Sequence, residues 1–412
     1  MKFKLTKLEK NWVLYDVGNS AFTMMVSTIF PIYFNTLAGN AGISDVDYLA
    51  YWGYAVSIST LLVALIGPTL GAVADIQNYK KKIFGIVMGL GIAGCILLGF
   101  LSSWFWFLVI FILAKTGYSS SLVFYDAMLP DIAEPDRMDR VSSHGYAWGY
   151  IGSCIPFAVC LLLILFGGNI GLGAQQSMIT AFLITALWWG GSSLPLLKCY
   201  RQKYYVQTGG HVIKDSFLRL GHTFKELVKE KRVFLFLLAF FFYIDGVYTV
   251  IDMATAYGQA LGLNSNGLLL ALLVTQIVAF PSVLLFSRLV KKVSPAKIIA
   301  VCISAYFGIA VYAYWLDTQL DFWILAVLVG LFQGTIQALS RSYFAKIIPA
   351  EKSGEYFGIY DICGKGASII GTAFVSFLSQ ITGSINIGVS ALSVMFLLGL
   401  LLFLKAARLN EC

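Results

Sequence analysis

The stretch Ser121-Leu-Val-Phe-Tyr-Asp-Ala-Met-Leu-Pro130 has a counterpart in Ser340-Arg-Ser-Tyr-Phe-Ala-Lys-Ile-Ile-Pro349. Each stretch closes a long apolar run, turns at its proline and leads into a glycine-rich apolar segment, which contains Gly145 in one case and Gly364 in the other. The Ser, Pro and Gly pairs are all separated by 219 residues. This constant spacing indicates that the chain consists of two related halves.

The segments around these stretches are too apolar for a soluble protein. Hydrophobic residues make up 58% of the chain and charged residues 12%, whereas a soluble domain carries about 25% charged residues. A helix needs about 20 mostly apolar residues to cross a bilayer. Twelve segments meet this condition. We predict spans at residues 12–37, 49–74, 82–101, 104–128, 142–167, 177–198, 233–261, 266–290, 297–316, 322–345, 355–382 and 385–405.

Lysine and arginine fix the predicted orientation of these spans. Of the 29 Lys and Arg residues, only Lys115 and Lys365 lie deep inside spans. The others lie in the two tails, in the long central segment, or in turns and span ends on the same side as these, while the opposite turns carry only acidic charges. Because cytoplasmic loops are enriched in Lys and Arg, we expect a multi-pass protein of the cell (inner) membrane with both termini in the cytoplasm.

The fold class that follows is an all-α membrane protein, with twelve transmembrane helices in two six-helix pseudo-repeat bundles. We assign residues 1–198 to the N-terminal bundle, 199–232 to a basic cytoplasmic linker and 233–412 to the C-terminal bundle. Apolar residues recur at helical spacing in the linker, between lysines, so we expect an amphipathic helix that lies on the inner leaflet. These residues are Phe217, Leu220, Phe224, Leu227 and Val228.

Several classes of function find no support in the sequence. The seven cysteines form no CxxC pair and the three histidines are not grouped, so we expect no metal and no cofactor. The net charge of +8 belongs to short turns beside a membrane rather than to a nucleic-acid-reading module. No nucleophile–base pair is apparent, so we expect no enzyme. The expected partners are the lipid bilayer and a small-molecule solute, and we expect a monomer.

The turn after the second span resembles the signature of the major facilitator superfamily at Gly71, Asp75 and Lys80. It departs from that signature at Ile76 and at Asn78-Tyr79, and the turn after the eighth span has Lys291 where the signature's Asp would be. This departure argues against a gating role for the turn after the eighth span that would mirror that of the first copy.

Four further stretches resemble the vacuole-effluxer branch of this superfamily, also called the unknown major facilitator family. They are Leu14-Tyr15-Asp16-Val17-Gly18-Asn19-Ser20-Ala21, Gly145-Tyr146-Ala147-Trp148-Gly149-Tyr150, Phe242-Tyr243-Ile244-Asp245-Gly246-Val247 and Gln337-Ala338-Leu339-Ser340-Arg341-Ser342-Tyr343-Phe344. The family usually has Trp-Ala where this chain has Val17-Gly18. The resemblance implies a solute transporter, and the yeast relatives are linked to amino-acid efflux from vacuoles.

Charged side chains inside a membrane are costly and commonly line a functional cavity. Asp16 and Asn19 share one helical face, and Asp245 and Asp252 share another. The resemblance places spans one and seven around a central cavity, so we expect Asp16 and Asp245 to face each other there. These carboxylates suit proton coupling or the binding of a cationic group. The alternatives are a buried Asp that caps a broken helix, and for Asp252 a solvated position at the outer mouth.

The two intramembrane lysines complete the candidate site. Lys365 either forms a local ion pair with Asp361, one turn earlier, or contacts solute. Lys115 either pairs with a carboxylate such as Asp16 or binds a substrate carboxylate. Lysines and aspartates around one cavity suit a zwitterion, such as an amino acid or a short peptide.

Polar residues and tyrosines extend this list. Gln333 and Gln337 either bind solute or join helices, while Tyr15 and Tyr243 are candidate pathway residues. The resemblance implies an inner gate containing Asp75 and Arg341, to which we add Lys80 and Asp126. Ordinary interface charge is the alternative for these four.

The sequence thus predicts a secondary active transporter that works by alternating access and moves a small polar metabolite, amino acids first, with coupling to protons as an option. The alternatives are a sugar or organic-ion transporter of the same fold, and a membrane receptor or scaffold that does not transport.

Overall fold

The computed structural model describes residues 3–207 and 212–409. The helices of the first half are α1 Lys7–Ser27, α2 Ile29–Asn40, α3 Asp45–Ala74, α4 Tyr79–Leu98, α5 Trp104–Ala127, α6 Leu129–Ile132, α7 Pro135–Phe166 and α8 Ala174–Cys199. After them come α9 Val212–Lys229, α10 Lys231–Ala260, α11 Ser265–Leu289, α12 Pro295–Tyr312, α13 Gln319–Ile347, α14 Ser353–Asp361, α15 Ala367–Thr382, α16 Ile385–Ser390 and α17 Leu392–Arg408.

The predicted twelve-span, all-α fold is confirmed. Within the described ranges, twelve helical segments are long and apolar enough to cross a membrane. Several helices extend beyond the predicted spans because hydropathy detects only the apolar part of a helix. The helix α7 begins at Pro135, seven residues before the predicted span, since proline suits the first turn of a helix. The helix α3 begins after Ser44, whose side chain accepts from the backbone of Asp47.

Two spans are interrupted. The first span breaks at Thr28, between α1 and α2. The eleventh span breaks at a π-helical segment, Ile362–Gly366, between α14 and α15. A π-helical turn inserts an extra residue into the helix and is frequent at functional sites. Lys365 lies within this segment.

The two halves repeat one internal contact. In the first half, the hydroxyl of Tyr15 on α1 lies 2.6 Å from Oγ of Ser121 on α5. In the second half, the hydroxyl of Tyr243 on α10 lies 2.7 Å from Oγ of Ser340 on α13. Both tyrosines are fully buried. The first and fourth spans of each half are therefore joined by the same pair of residue types, as a repeat requires.

The two bundles meet along α3 with α14 and along α7 with α11 and α13. Glycines allow the backbones of α3 and α14 to approach closely. A Cβ atom added to Gly358 would lie 2.6 Å from Cα of Pro68, and one added to Gly71 would overlap the carbonyl of Gly354. Larger residues at these positions would push the bundles apart.

The start of α1, the end of α17, the linker helix α9 and the turns after the even-numbered spans lie on one side of the molecule, because the spans alternate in direction. We call this side the basic face. The linker helix α9 lies there and packs against α3 and α10. Its buried side chains include Leu220 and Leu227. These two leucines therefore face the protein rather than a lipid leaflet, while Phe224 and Val228 are exposed as expected. The Phe217 side chain lies outside the described part.

Candidate functional site

A buried arginine joins the two bundles close to the basic face. Arg341 on α13 is 2% exposed, and its Nη1 donates to Asp126 Oδ1 at 2.9 Å. Its Nη2 lies 3.5 Å from Asp16 Oδ2, and its Nε donates to Ser142 Oγ at 2.9 Å. These three partners lie in the first bundle. The close approach of Arg341 to Asp16 depends on glycine at position 145, because a Cβ there would lie 2.5 Å from Asp16 Oδ2.

A second interbundle contact forms around Asp75, at the end of α3. Its carboxylate accepts from the backbone N–H of Gly354 at 2.7 Å and of Glu355 at 2.9 Å, both in the first turn of α14. Acceptors at a helix N-terminus satisfy donors that have no partner within the helix. Lys80 lies 3.5 Å from Asp75 and donates to Ser353 Oγ at 2.7 Å. Asp75 and Lys80 are fully buried.

Burial dominates the electrostatics of Asp75, which lies just outside the membrane-spanning part of α3. Burial raises the pKa of the Asp75 carboxyl to about 7, although the Lys80 charge and the two backbone donors oppose this shift. A proton on Asp75 is therefore exchanged near neutral pH while the bundles touch here.

Two further aspartates make polar contacts at the basic face, and neither was predicted from the sequence. Asp139 on α7 accepts from Lys346 Nζ at 2.5 Å and from Ser342 Oγ at 2.7 Å, both on α13. Asp131 lies 3.6 Å from Lys80. Position 139 precedes the predicted fifth span, so its place on a helix was missed. For Asp131 the sequence did offer a signal, because this residue directly follows Pro130 of the repeated stretch.

The linker is fastened to these contacts. The backbone N–H of Val206 donates to the carbonyl of Asp75 at 2.8 Å. Arg219 on α9 donates both to the Ala72 carbonyl in the first bundle and to the Glu355 carboxylate in the second. Thr223 donates to the same carboxylate at 2.6 Å. The linker helix thus bridges the bundles where they are closed.

Deeper in the molecule, four charged side chains from both bundles approach one another. Lys365 pairs with Asp361 at 2.6 Å, which confirms the local ion pair, and donates to the Ser119 carbonyl of α5 at 3.3 Å. Lys115 also lies on α5, and the charges of Asp252 and Lys365 both act on it. Among the described residues, no carboxylate lies within ion-pair distance of Lys115, and Asp16 pairs with Arg341 instead.

These side chains are not fully covered by the protein although they lie within spans. Lys115, Asp361 and Lys365 are half-buried and Asp252 is exposed. Lys115 lies near the middle of α5, and the charges that act on it belong to α10 and to the π-helical segment of the other bundle. We call the region around these four side chains the central cleft.

Asp245 occupies a different place from the one expected. It is fully buried and accepts from the Gly371 backbone N–H at 3.1 Å and from Thr249 Oγ1 at 3.3 Å. Both partners belong to the second bundle, so Asp245 does not line an open path opposite Asp16, and that expectation is wrong. Its Oδ2 has no hydrogen-bond partner among the described residues.

The remaining predicted pathway residues make contacts within and between the bundles. Asn19 is buried and donates to the Tyr15 carbonyl at 3.0 Å and to Asp16 at 3.3 Å. Tyr15 and Tyr243 make the repeated contacts with serine. Gln333 is 3% exposed and faces a small cavity inside the second bundle. Gln337 lies beside Tyr150 of the first bundle.

A twelve-span fold of two bundles, closed at one face by breakable polar contacts and with charges in a central cleft, defines a membrane transporter of the alternating-access class. Residues 6–408 match the family model described as "Vacuole effluxer Atg22 like". The chain belongs to this family.

Two relatives illustrate the match. The chain is 42% identical to the protein named "Uncharacterized MFS-type transporter YxiO" of Bacillus subtilis, over 98% of this chain and 95% of that protein. It is 23% identical to "Autophagy-related protein 22" of Coccidioides immitis, over 86% of this chain and 72% of that one.

Solved structures confirm the fold. The fucose transporter FucP in the outward conformation superposes with a TM-score of 0.72 at 12% identity, covering 97% of each chain. A bacterial homologue of the iron transporter ferroportin in the outward-facing state gives a TM-score of 0.70 at 15% identity, over 97% of this chain and 98% of that one. At these identities the likeness concerns the fold alone.

Proposed function

We propose that this chain transports a small zwitterionic metabolite, with amino acids as the first class to test. The observation that carries the proposal is Lys115 in the central cleft, whose ammonium group and the Asp252 carboxylate act on each other electrostatically. A substrate carboxylate would bind Lys115 and a substrate ammonium would bind Asp252. The paired Lys365 and Asp361 would line the same cleft. A neutral sugar would leave these charges uncompensated.

The interbundle contacts of the basic face serve as the inner gate in this proposal. We place this face in the cytoplasm, because it carries nearly all of the cations, and the protein in the cell membrane as a monomer. The gate comprises Asp75, Lys80, Asp126 and Arg341. When these contacts separate, the bundles rock and the cleft opens inward. The description of the matching family, "Vacuole effluxer Atg22 like", supports an export direction.

Proton coupling is assigned to Asp245. Its Oδ2 has no hydrogen-bond partner in the described part of the chain, so a proton can be bound there. The carboxyl is linked to the Gly371 backbone in α15, a few residues after the π-helical segment that carries Lys365. Protonation and solute binding would therefore act on the same interrupted span.

The test is solute flux in proteoliposomes, with a panel of labelled amino acids and an imposed pH step. We expect flux of at least one amino acid, with KM raised about tenfold or more in Lys115→Gln and Asp252→Asn because a charge-assisted contact is lost. Lys405→Gln, an exposed site at the end of α17, is the matched control and should behave as wild type.

Other outcomes would contradict parts of the proposal. Flux of sugars but not of amino acids would favour the alternative substrate class. No flux of any solute would favour a receptor or scaffold. Asp245→Asn should retain solute exchange but lose its response to the pH step, and an unchanged response would remove Asp245 from the coupling.

A further inference from the structure

A groove runs between α7 of the first bundle and α11 of the second, which pack against each other. On α7, Arg140, His144 and Trp148 follow one another at four-residue spacing, so they form one stripe. On α11, Phe280 packs edge-on against Trp148, with ring centroids 5.3 Å apart. Arg288, two turns nearer the basic face, acts electrostatically on both Arg140 and His144. The groove is therefore cationic at the basic face and aromatic further in.

The two arginines of this groove, Arg140 and Arg288, have no acidic partner among the described residues, whereas Glu9 acts electrostatically on His144. Arg137, beside the groove, pairs with Glu9, whose carboxylate accepts from its Nε and Nη2 at 2.7 Å. The charges that act on Arg140 are those of Arg137 and Arg288, both positive. Among the described residues, no carboxylate forms an ion pair with Arg140 or Arg288. Like charges thus face each other across two bundles that are in contact.

Two nitrogen atoms in the groove also lack partners. Arg140 Nε and His144 Nδ1 are shielded from solvent, and neither has a hydrogen-bond partner within the described part of the chain. Phe3 covers both side chains, with its ring 3.8 Å from the Arg140 guanidinium carbon and 5.8 Å from the His144 ring centroid. Arg140 Nε is a buried donor without an acceptor, which is unfavourable, and His144 Nδ1 can donate in one of its tautomers. An acceptor that carries negative charge would satisfy both nitrogen atoms.

We propose that Arg140, His144 and Arg288 bind a phosphate group between the two bundles. An anionic lipid headgroup is the source that the position favours, because basic pockets between spans at this membrane level suit such headgroups. Trp148 lies about 12 Å deeper along α7, at 1.5 Å per residue, and is 44% exposed. It offers apolar surface to an acyl chain. Bound phosphate would cancel the repulsion between α7 and α11 and favour the state in which the basic face is closed.

The test uses the purified full-length protein, with phosphatidylglycerol and phosphatidylethanolamine titrated separately and adducts counted by native mass spectrometry. We expect phosphatidylglycerol to bind more tightly than phosphatidylethanolamine. The exposed side chain of Arg288 can be replaced without disturbing the packing, and Arg288→Gln should weaken phosphatidylglycerol binding about tenfold. Arg140→Gln should act in the same direction. Lys405→Gln removes the same charge away from the groove and should change nothing.

A parallel arm with inorganic phosphate distinguishes the sources. A phosphate-dependent rise in the Tm of wild type, absent in Arg288→Gln and unaccompanied by lipid adducts, would show that the site takes soluble phosphate. Equal lipid binding by wild type and both groove variants, with no phosphate effect, would overturn the proposal. So would an equal loss in Lys405→Gln, because it would indicate a general effect of charge.

Discussion

The two bundles have the same internal contact but differ in charge where they meet. Tyr15 with Ser121 and Tyr243 with Ser340 join equivalent spans at nearly equal distances. The position equivalent to Arg341, 219 residues earlier, is Leu122. The repeat thus accounts for the packing within each bundle, whereas the residues that close the basic face occur in only one copy.

The charges that close this face are divided between the bundles. The first bundle contributes Asp16, Asp126 and Asp139, and the second contributes Arg341 and Lys346. Opposite charges on the two sides attract when the bundles approach and are solvated again when they separate. A fold built from a repeat can therefore obtain a reversible closure from a few substitutions that break its symmetry.

The largest expected effect comes from removing the single arginine. Arg341→Gln leaves the buried Asp16 and the half-buried Asp126 without their cation, and breaking a buried pair in this way costs about 3–5 kcal/mol. We expect the closed state of the basic face to become a minor population and transport to fall at least tenfold. Distances between spin labels on the two bundles, measured in nanodiscs, report this population.

The double variant Arg341→Gln with Asp126→Asn is the control for the Arg341 prediction. It removes one uncompensated charge together with the cation, so it should recover part of the closed population. A closed population that is unchanged in Arg341→Gln would show that the division of charge does not hold the bundles together.

A smaller, pH-dependent effect is expected at Asp75. Burial in the closed state raises its pKa to about 7, whereas a solvated Asp titrates near about 3.9. The closed state therefore holds this proton more tightly, so closure is favoured at low pH and weakens as pH rises towards 7. Above that value both states are ionised and the dependence levels off.

The Asp75 effect can be followed by the same spin-label distances between pH 5 and 8. The slope should reach at most about tenfold in population per pH unit. Asp75→Asn should flatten it, and should also lower the closed population because its amide nitrogen cannot accept from a backbone N–H of α14. A slope that persists in Asp75→Asn would assign the pH dependence to another group.

Much of the fold could be predicted from the sequence because the bilayer imposes simple rules. Each crossing needs about 20 apolar residues, and cations accumulate on one side. The ion pair of Asp361 and Lys365 was also predictable, since both residues lie one turn apart on the same span. Such local patterns do not depend on how distant parts of the chain meet.

The partners across the bundles could not be predicted in this way. Asp139 and Lys346 are 207 residues apart, and no local spacing relates them. Helical periodicity placed Asp245 on a face of its span but could not tell which neighbour that face contacts. It packs against Gly371 inside its own bundle. Asp16 was expected to face Asp245 or to pair with Lys115, whereas its charged partner in the structure is Arg341.

A further asymmetry lies in the linker, which belongs to neither repeat. Arg219 contacts the Ala72 carbonyl and the otherwise buried Glu355. Arg219→Gln should make closure less favourable by about 1–3 kcal/mol, because Glu355 loses its charged partner. Lys225→Gln on the exposed side of the same helix is the matched control. Equal behaviour of the two variants would show that the linker does not bridge the bundles.

The smallest expected effect concerns the tyrosine–serine contact that the two bundles share. Tyr15→Phe and Tyr243→Phe each remove one buried hydrogen bond, which typically contributes about 0.5–1.5 kcal/mol. If both contacts only support packing, the two variants should lower the Tm by similar amounts and leave transport unchanged.

Unequal results would sharpen the comparison. Tyr15 adjoins Asp16, which pairs with Arg341, whereas Ile244 follows Tyr243. A transport defect confined to Tyr15→Phe would therefore show that the repeated contact positions the gate carboxylate in the first bundle only. Double variants that combine Asp16→Asn with Tyr15→Phe or with Tyr243→Phe distinguish a contact that only supports packing from one that positions the Asp16 carboxylate. Coupling between the substitutions is expected for Tyr15 and absent for Tyr243.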